Sequence, residues 1–257
     1  MITIEATTFE QILHLRQHYV ATLHGGLEGY AEDNARASTP YAIAANNQVI
    51  GYACIDQHKQ LWQFHLVRQA IPHGPEIFAQ LIRDGLMISA VIATRDPLSI
   101  ALCSEFQQRI WCQAYLFEDG WRTTEILSDY ADVTLRLAHI SEVARLAELC
   151  GDFLEAYEPY IAAQHLYVLE AANEFLGIGL ADPVLIHPPY NCIGMFVHPD
   201  HRQRGVGAYL IQQLKERTYA LGYLPIAGCG HGNVASRKTL ERGGMITRDR
   251  LIGFAFG

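Results

Sequence analysis

A chain of 257 residues, half of them apolar and 18% charged, is globular, with room for one large domain or two small ones. Its formal net charge of −8 argues against a general nucleic-acid binder, which needs a basic face, and suits a cationic or amine partner. No apolar run approaches the roughly 20 residues of a membrane helix, and the start, MITIEATTFEQ, lacks a basic-then-apolar leader. The six cysteines (Cys54, Cys103, Cys112, Cys150, Cys192, Cys229) include no CxxC pair, so we expect buried free thiols in a cytoplasmic protein.

In chain order, residues 1–4 alternate as a short strand, and Phe9, Ile12, Leu13, Leu15, Tyr19, Val20 and Leu23 recur at helical spacing over 9–23. Residues 31–40 are polar and read as a loop. Strands at 41–45 and 49–56 joined at Asn46-Asn47 form a hairpin, and 60–67 is a third strand. A helix over 76–84, a strand over 87–93, a helix over 97–107 and a strand over 110–117 follow. The polar stretch 118–129 reads as a linker, which divides the chain into domains at 1–125 and 126–257.

The second half starts with a strand at 133–137 and a helix over 140–149 that Ser141 is placed to cap. A short helix falls within 151–165, and strands at 166–171 and 176–181 form a hairpin. Then come a strand at 191–197, a helix over 206–219, a strand at 224–229, a helix over 233–242 and closing strands over 246–256. Both halves follow one order of elements, with VIGYACID in the first matching FLGIGLAD in the second. The expected fold class is α/β (a mixed α+β sheet): two tandem domains, each a mixed central sheet flanked by helices.

The stretch NCIGMFVHPDHRQRGVG organises the second half. A buried strand feeds a turn at His198-Pro199-Asp200, then a glycine-bearing loop, Arg202-Gln203-Arg204-Gly205-Val206-Gly207, then a helix with Leu210, Ile211, Leu214 and Tyr219 turned inward. Free amides at a helix N-terminus form an anion site. No GKS or GKT follows, so this is not a Walker loop, and it lacks the GxGxxG dinucleotide fingerprint.

With Asn233 and Ser236 downstream, ahead of Leu240-Glu241-Arg242-Gly243, this region resembles the GNAT superfamily of acetyl-CoA-dependent N-acetyltransferases over about Asp132 to Gly257. The resemblance implies that Met195, Phe196 and Val197 offer backbone groups to the pantetheine arm of acetyl-CoA. It implies that Arg202, Gln203, Arg204, Gly205, Val206 and Gly207 bind the pyrophosphate, and that Asn233 and Ser236 stand beside the arm. Asn233 is also a good helix N-cap. No metal is implied. The first half looks like a degenerate copy: at the matching place it reads Arg68-Gln-Ala-Ile-Pro72-His-Gly74-Pro75, with no RxxGxG and two prolines that remove amide donors.

The tyrosine that many family members use as general acid falls at Leu240, and the glutamate base of some branches falls at Asn191. The candidate catalytic groups are therefore Glu170 on the hairpin, Tyr190 before the strand and His231 in the loop GCGHGN; Cys229 reads as core and His198 as part of the turn. Glu155, Tyr157 and Glu158, in a run with Asp152 and Tyr160, suit an ammonium group through charge and cation–π contact. The expected activity is acetyl transfer to an amine of a small molecule or protein, with no nucleic-acid or membrane partner and a possible homodimer. The alternative is a non-catalytic acyl-CoA-binding regulatory module.

Overall fold

The computed structural model describes residues 2–124, 127 and 129–257, so the expected domain boundary at 125/126 lies outside the described residues. The elements, in chain order, are β1 (Ile2–Ala6), α1 (Leu13–Thr22), α2 (Gly29–Ala37), β2 (Thr39–Ala45), β3 (Gln48–Ile55), β4 (Gln60–Leu66), α3 (Gly74–Arg83), β5 (Ser89–Ala93), α4 (Pro97–Phe106) and β6 (Gln107–Asp119). There follow β7 (Val133–Leu137), α5 (Val143–Cys150), α6 (Glu158–Ala162), β8 (Leu166–Ala171), β9 (Glu174–Pro183), β10 (Tyr190–Val197), α7 (Val206–Ala220), β11 (Leu224–Gly230), α8 (Val234–Arg242) and β12 (Met245–Phe256). Among the described residues no helix is long and apolar enough to cross a membrane.

The chain forms two compact units. The first comprises Met1–Leu116, Gly230–Gly232 and Arg248–Gly257; the second comprises Phe117–Cys229 and Asn233–Thr247. In the first, β1, β2, β3 and β4 pair antiparallel in sequence, β4 pairs parallel with β5, and β5 pairs antiparallel with the C-terminal part of β12. Asn46 and Asn47 both have positive φ, as a two-residue hairpin turn requires, and they join β2 to β3. Phe64 and Leu66 of β4 join an apolar cluster with Ile77 and Phe78 of α3, Leu102 of α4 and Phe254 of β12.

Gln63 and His65 alternate to the other face of β4 and meet α1 and α2. There the Arg16 guanidinium donates to both oxygens of Glu32 at 2.6 and 2.7 Å, Gln63 donates to Glu32, and Tyr52 donates to Gln63. This face explains the helix α2 where a loop was expected. The segment carries Glu32 inward to meet Arg16, so its buried side is partly charged and shows no apolar stripe.

In the second unit β7, β8, β9 and β10 pair antiparallel in sequence, and β10 pairs parallel with β11. Leu146 of α5, Tyr157, Ile161 of α6, Val168 of β8 and Ile178 of β9 form the core of one face. On β9, Gly179 leaves room for α7: a Cβ there would meet the Leu214 methyls at 2.9 Å. Tyr219, expected to face the core, is half-buried and bonds through its hydroxyl to Asp119, while Thr218 takes the buried position. The cap ahead of α5 is also corrected. A 3-10 turn over Ile140–Glu142 precedes the helix, the His139 ring accepts from the Ser141 amide, and Glu142 reaches back to the His139 amide.

Candidate functional site

The site is built on a fork. Among the described residues, β10 and β11 pair only at Tyr190↔Leu224, Asn191↔Pro225 and Cys192↔Ile226. Beyond Cys192 the strands part, while the other edge of β10 stays paired with β9 through Val197↔Gly177. A strand residue directs its amide and carbonyl to one edge only. From Ile193 to Val197 the edge turned toward β11 therefore offers backbone donors and acceptors that no partner strand uses.

At the open end of the fork the chain turns through Pro199–His201 and a loop into α7. His201 anchors the turn: it is buried, with Nδ1 3.0 Å from the Tyr130 hydroxyl and Nε2 3.4 Å from Glu174. Gln203 and Gly205 adopt positive φ, +63° and +84°. Gly205 is the N-cap of α7 and supplies no side-chain cap. By contrast, Asn233 Oδ1 accepts from the Ser236 amide at 3.0 Å and caps α8. The first amides of a helix have no partner within it, and the helix dipole adds partial positive charge there. The fifteen-residue α7 thus presents uncapped donors at the mouth of the fork. Gly207 lets this end sit low, since a Cβ there would come 2.7 Å from Thr239 Cγ2 and 3.4 Å from Val197 Cγ2.

The first unit has no counterpart. After β4 the chain runs through a 3-10 turn, Arg68–His73, directly into α3. The amides of Ala70 and Gly74 are spent on the carbonyls of Val67 and Ile71, and Pro72 and Pro75 have none to give.

Residues 8–120 match the model of the acetyltransferase (GNAT) domain, and residues 136–245 match that of the acetyltransferase (GNAT) family. The chain is a tandem of two GNAT domains. Solved structures share the fold over nearly the whole chain. An acetyltransferase from the GNAT family from Colwellia psychrerythraea superposes with a TM-score of 0.88 at 16% identity, covering 99% of this chain and 100% of that one. A GCN5-related N-acetyltransferase from Sphaerobacter thermophilus gives 0.65 at 11% identity, covering 98% and 94%. A tandem GNAT protein from the clavulanic acid biosynthesis pathway gives 0.63 at 13% identity, covering 99% and 98%. At these identities the likeness is one of fold. No curated protein matches the chain.

The residues singled out in the sequence fall into three groups. Met195 and Val197 turn their backbone groups to the free edge of β10, while Phe196 between them turns its own toward β9, as His198 does in donating to the Leu176 carbonyl; Arg202 to Gly207 form the loop at the mouth, and Asn233 and Ser236 open α8. Arg202 is partly engaged: its Nε donates to the Val197 carbonyl at 3.1 Å, and its guanidinium lies over the Phe196 ring. Arg204 is exposed. Ser236 also hydrogen-bonds with the Cys229 thiol, which burial pushes above its ordinary pKa, so Cys229 is no ready nucleophile.

A second group is occupied elsewhere. Glu170 accepts from Arg136 Nε at 3.0 Å and Nη2 at 2.8 Å, so both its oxygens are engaged by the guanidinium. Tyr157 is buried in the apolar core and spends its hydroxyl on the Gly151 carbonyl, so it is a packing residue rather than a substrate contact. His231 groups with the first unit, where its ring stacks on Tyr115.

The remainder stay at the second unit's surface or at the closed end of the fork. Glu155, before α6, and Glu158, its first residue, are exposed. Tyr190 opens β10, with its ring against His187. Leu240 and Asn191, at the places of the acid and the base, are each 1% exposed, and both amide atoms of Asn191 lack a hydrogen-bond partner among the described residues. Sequence reasoning missed a histidine–aspartate pair, His165 with Asp182.

Proposed function

We propose that the second GNAT domain transfers an acetyl group from acetyl-CoA to an amine of a small molecule or a protein, in the cytoplasm. The observation that carries this reading is the uncapped N-terminus of α7, set at the open end of the β10/β11 fork. The residues present suit the co-substrate. The amides from Gln203 to Gly207 would take its pyrophosphate, with Arg202 or Arg204 as charge partner. The free edge of β10 at Met195–Val197 would pair with its pantetheine amides as a partial extra strand. Acetyl-CoA would supply the activated acyl group, and an amide on the free edge near Phe196 would stabilise the charge that develops on the thioester oxygen. The first domain, without an amide-lined loop, serves as scaffold.

Isothermal titration calorimetry with acetyl-CoA, followed by thiol-release assays across an amine panel, tests this. Binding with turnover on an amine supports it. A second reading, an acyl-CoA-binding regulatory module, is favoured by Leu240 and Asn191 standing where an acid and a base were expected. Tight binding with no turnover on any amine selects that reading. No binding at all overturns both.

A further inference from the structure

His165, just before β8, and Asp182, on β9, pair directly: His165 Nδ1 lies 2.7 Å from Asp182 Oδ1, and the side chains are 28% and 37% exposed. The strand register fixes where this pair stands. Asp182 is opposite Cys192, and Cys192↔Ile226 is the last pairing before β10 and β11 part. Ile178 and Leu180, four and two residues before Asp182 on the same face of β9, pack with α5 and α6. The opposite positions on β10, Gly194 and Phe196, meet Phe153 on that face too. The dyad therefore stands beside the apex of the fork, on the side covered by α5 and α6.

The apex limits how far a thioester can travel. An acyl chain entering at the mouth and following the free edge of β10 must stop where the strands rejoin at Cys192. On the acetyl-CoA reading above, the acyl carbon comes to rest beside the residue that Asp182 faces. Of the other candidates, Glu170 is held by Arg136, His231 groups with the first unit, and Tyr190 lays its ring against His187; Asn191, at the place of the family's glutamate, is a buried amide and takes no proton.

We propose that His165 is the general base for the acceptor amine and that Asp182 is its positioning residue. With Nδ1–H directed at the carboxylate, Nε2 carries the lone pair. Nε2 takes one proton from the ammonium R–NH3+ and passes it to solvent. The amine lone pair then forms the C–N bond to the acyl carbon, and the C–S bond breaks with its electrons left on sulfur. The remaining surplus N–H proton returns through Nε2 to the thiolate. The products are the amide and CoA thiol, with one proton released and the base restored.

The titratable groups that the backbone brings beside the pair are Cys192, opposite Asp182 on β10, Tyr160, whose carbonyl accepts from the His165 amide, and His139, which follows Ala138, itself bonded to the Leu166 carbonyl. Of these only His139 is a second histidine, and its exposed ring is bonded to Ser141. It serves as the control.

The test uses the full chain with putrescine, 2-phenylethylamine and water as acceptors. H165Q is expected to bind acetyl-CoA within about twofold of wild type, to lose kcat by about 10²- to 10⁴-fold with little change in KM, and to lose the acidic limb of the pH–rate profile. H139Q keeps that limb. In the unliganded protein, 15N NMR of the His165 ring, assigned by difference from H165Q, should show the Nδ1–H tautomer, and D182N should shift it toward Nε2–H. An unchanged kcat in H165Q, or an even mixture of tautomers in wild type, overturns the dyad while leaving the acetyl-CoA site standing. Acetyl-CoA that binds but reacts with none of the three acceptors faster than in free solution does the same. A wild-type chain that does not bind acetyl-CoA overturns the underlying reading instead.

Discussion

Gly207 and Thr239 meet where α7 crosses α8, with Thr239 Cγ2 only 2.7 Å from the place a β-carbon on Gly207 would occupy. The same place lies 3.4 Å from Val197 Cγ2, at the end of the strand that would hold the pantetheine arm. The glycine thus sets the height of the α7 N-terminus over the fork. G207A should cost about 1–3 kcal/mol through overpacking and should lift the anion-binding amides. Acetyl-CoA affinity is expected to fall at least about tenfold. Adding T239A removes the clashing methyl, so the double variant should regain part of both losses. A strictly additive pair, measured by calorimetry and denaturant unfolding, would rule out this coupling.

Gly205 makes a separate prediction. At φ +84° it is left-handed backbone that a side chain strains by roughly 1–2 kcal/mol. In G205D the new carboxylate would also sit on the helix N-terminus and occupy the anion site with the protein's own charge. The variant should stay folded, with acetyl-CoA binding abolished. Retention of wild-type affinity would remove Arg202–Gly207 from the cofactor site.

The first unit should be acid-sensitive through one side chain. Burial, with a smaller effect from His18 beside it, pushes the His65 imidazole down from 6.5 to about 4. His18 Nδ1 and His65 Nε2 are 2.8 Å apart. Because the unfolded chain takes up this proton near 6.5 and the folded unit only near 4, the stabilisation is complete above 6.5. It is lost progressively as the pH falls toward 4. The effect is on the order of 3 kcal/mol. Denaturant midpoints between pH 7 and 4 should fall steeply in wild type and more gently in H65Q; parallel slopes would exclude His65.

Lys215 ties α7 to the loop before β12. Its Nζ donates to Trp121 O at 2.8 Å and Gly243 O at 3.2 Å, and pairs with Asp119 at 2.6 Å, with 3% of the side chain exposed. K215M keeps the apolar stem but leaves buried acceptors without a donor, so it should cost about 3 kcal/mol. A midpoint within error of wild type would show that Asp119 and the carbonyls find water instead.

What could be read from the sequence followed backbone demands. Gly205 and Gly207, after an apolar strand that the structure leaves half-buried and before a helix, marked the loop because few side chains tolerate those positions. The hairpin turn at Asn46-Asn47 was legible for the same reason. The α2 helix was not, since its inward residue Glu32 is matched by Arg16 sixteen positions earlier, and no local pattern reveals such a partner. Tyr157 was misplaced because an aromatic next to carboxylates looks the same whether it lines a cleft or fills a core. His165 and Asp182 carry no motif spacing. Laying the β8/β9 hairpin out in register would have brought both to the same end of the sheet, but their contact needs coordinates.

The strand β12 ends in the first unit, where Leu251–Ala255 pairs with Ala93–Ser89 of β5 and Phe254 enters the apolar cluster. On a ribosome, the N-terminal sheet therefore waits for residues 251–255 to be made before the strand that covers β5 can be laid down. Until then β5 presents an unpaired edge of the kind that invites association with other chains. Residues 1–125 expressed alone would keep that edge permanently, and they should be recovered in aggregates unless a peptide spanning 245–257 is supplied alongside.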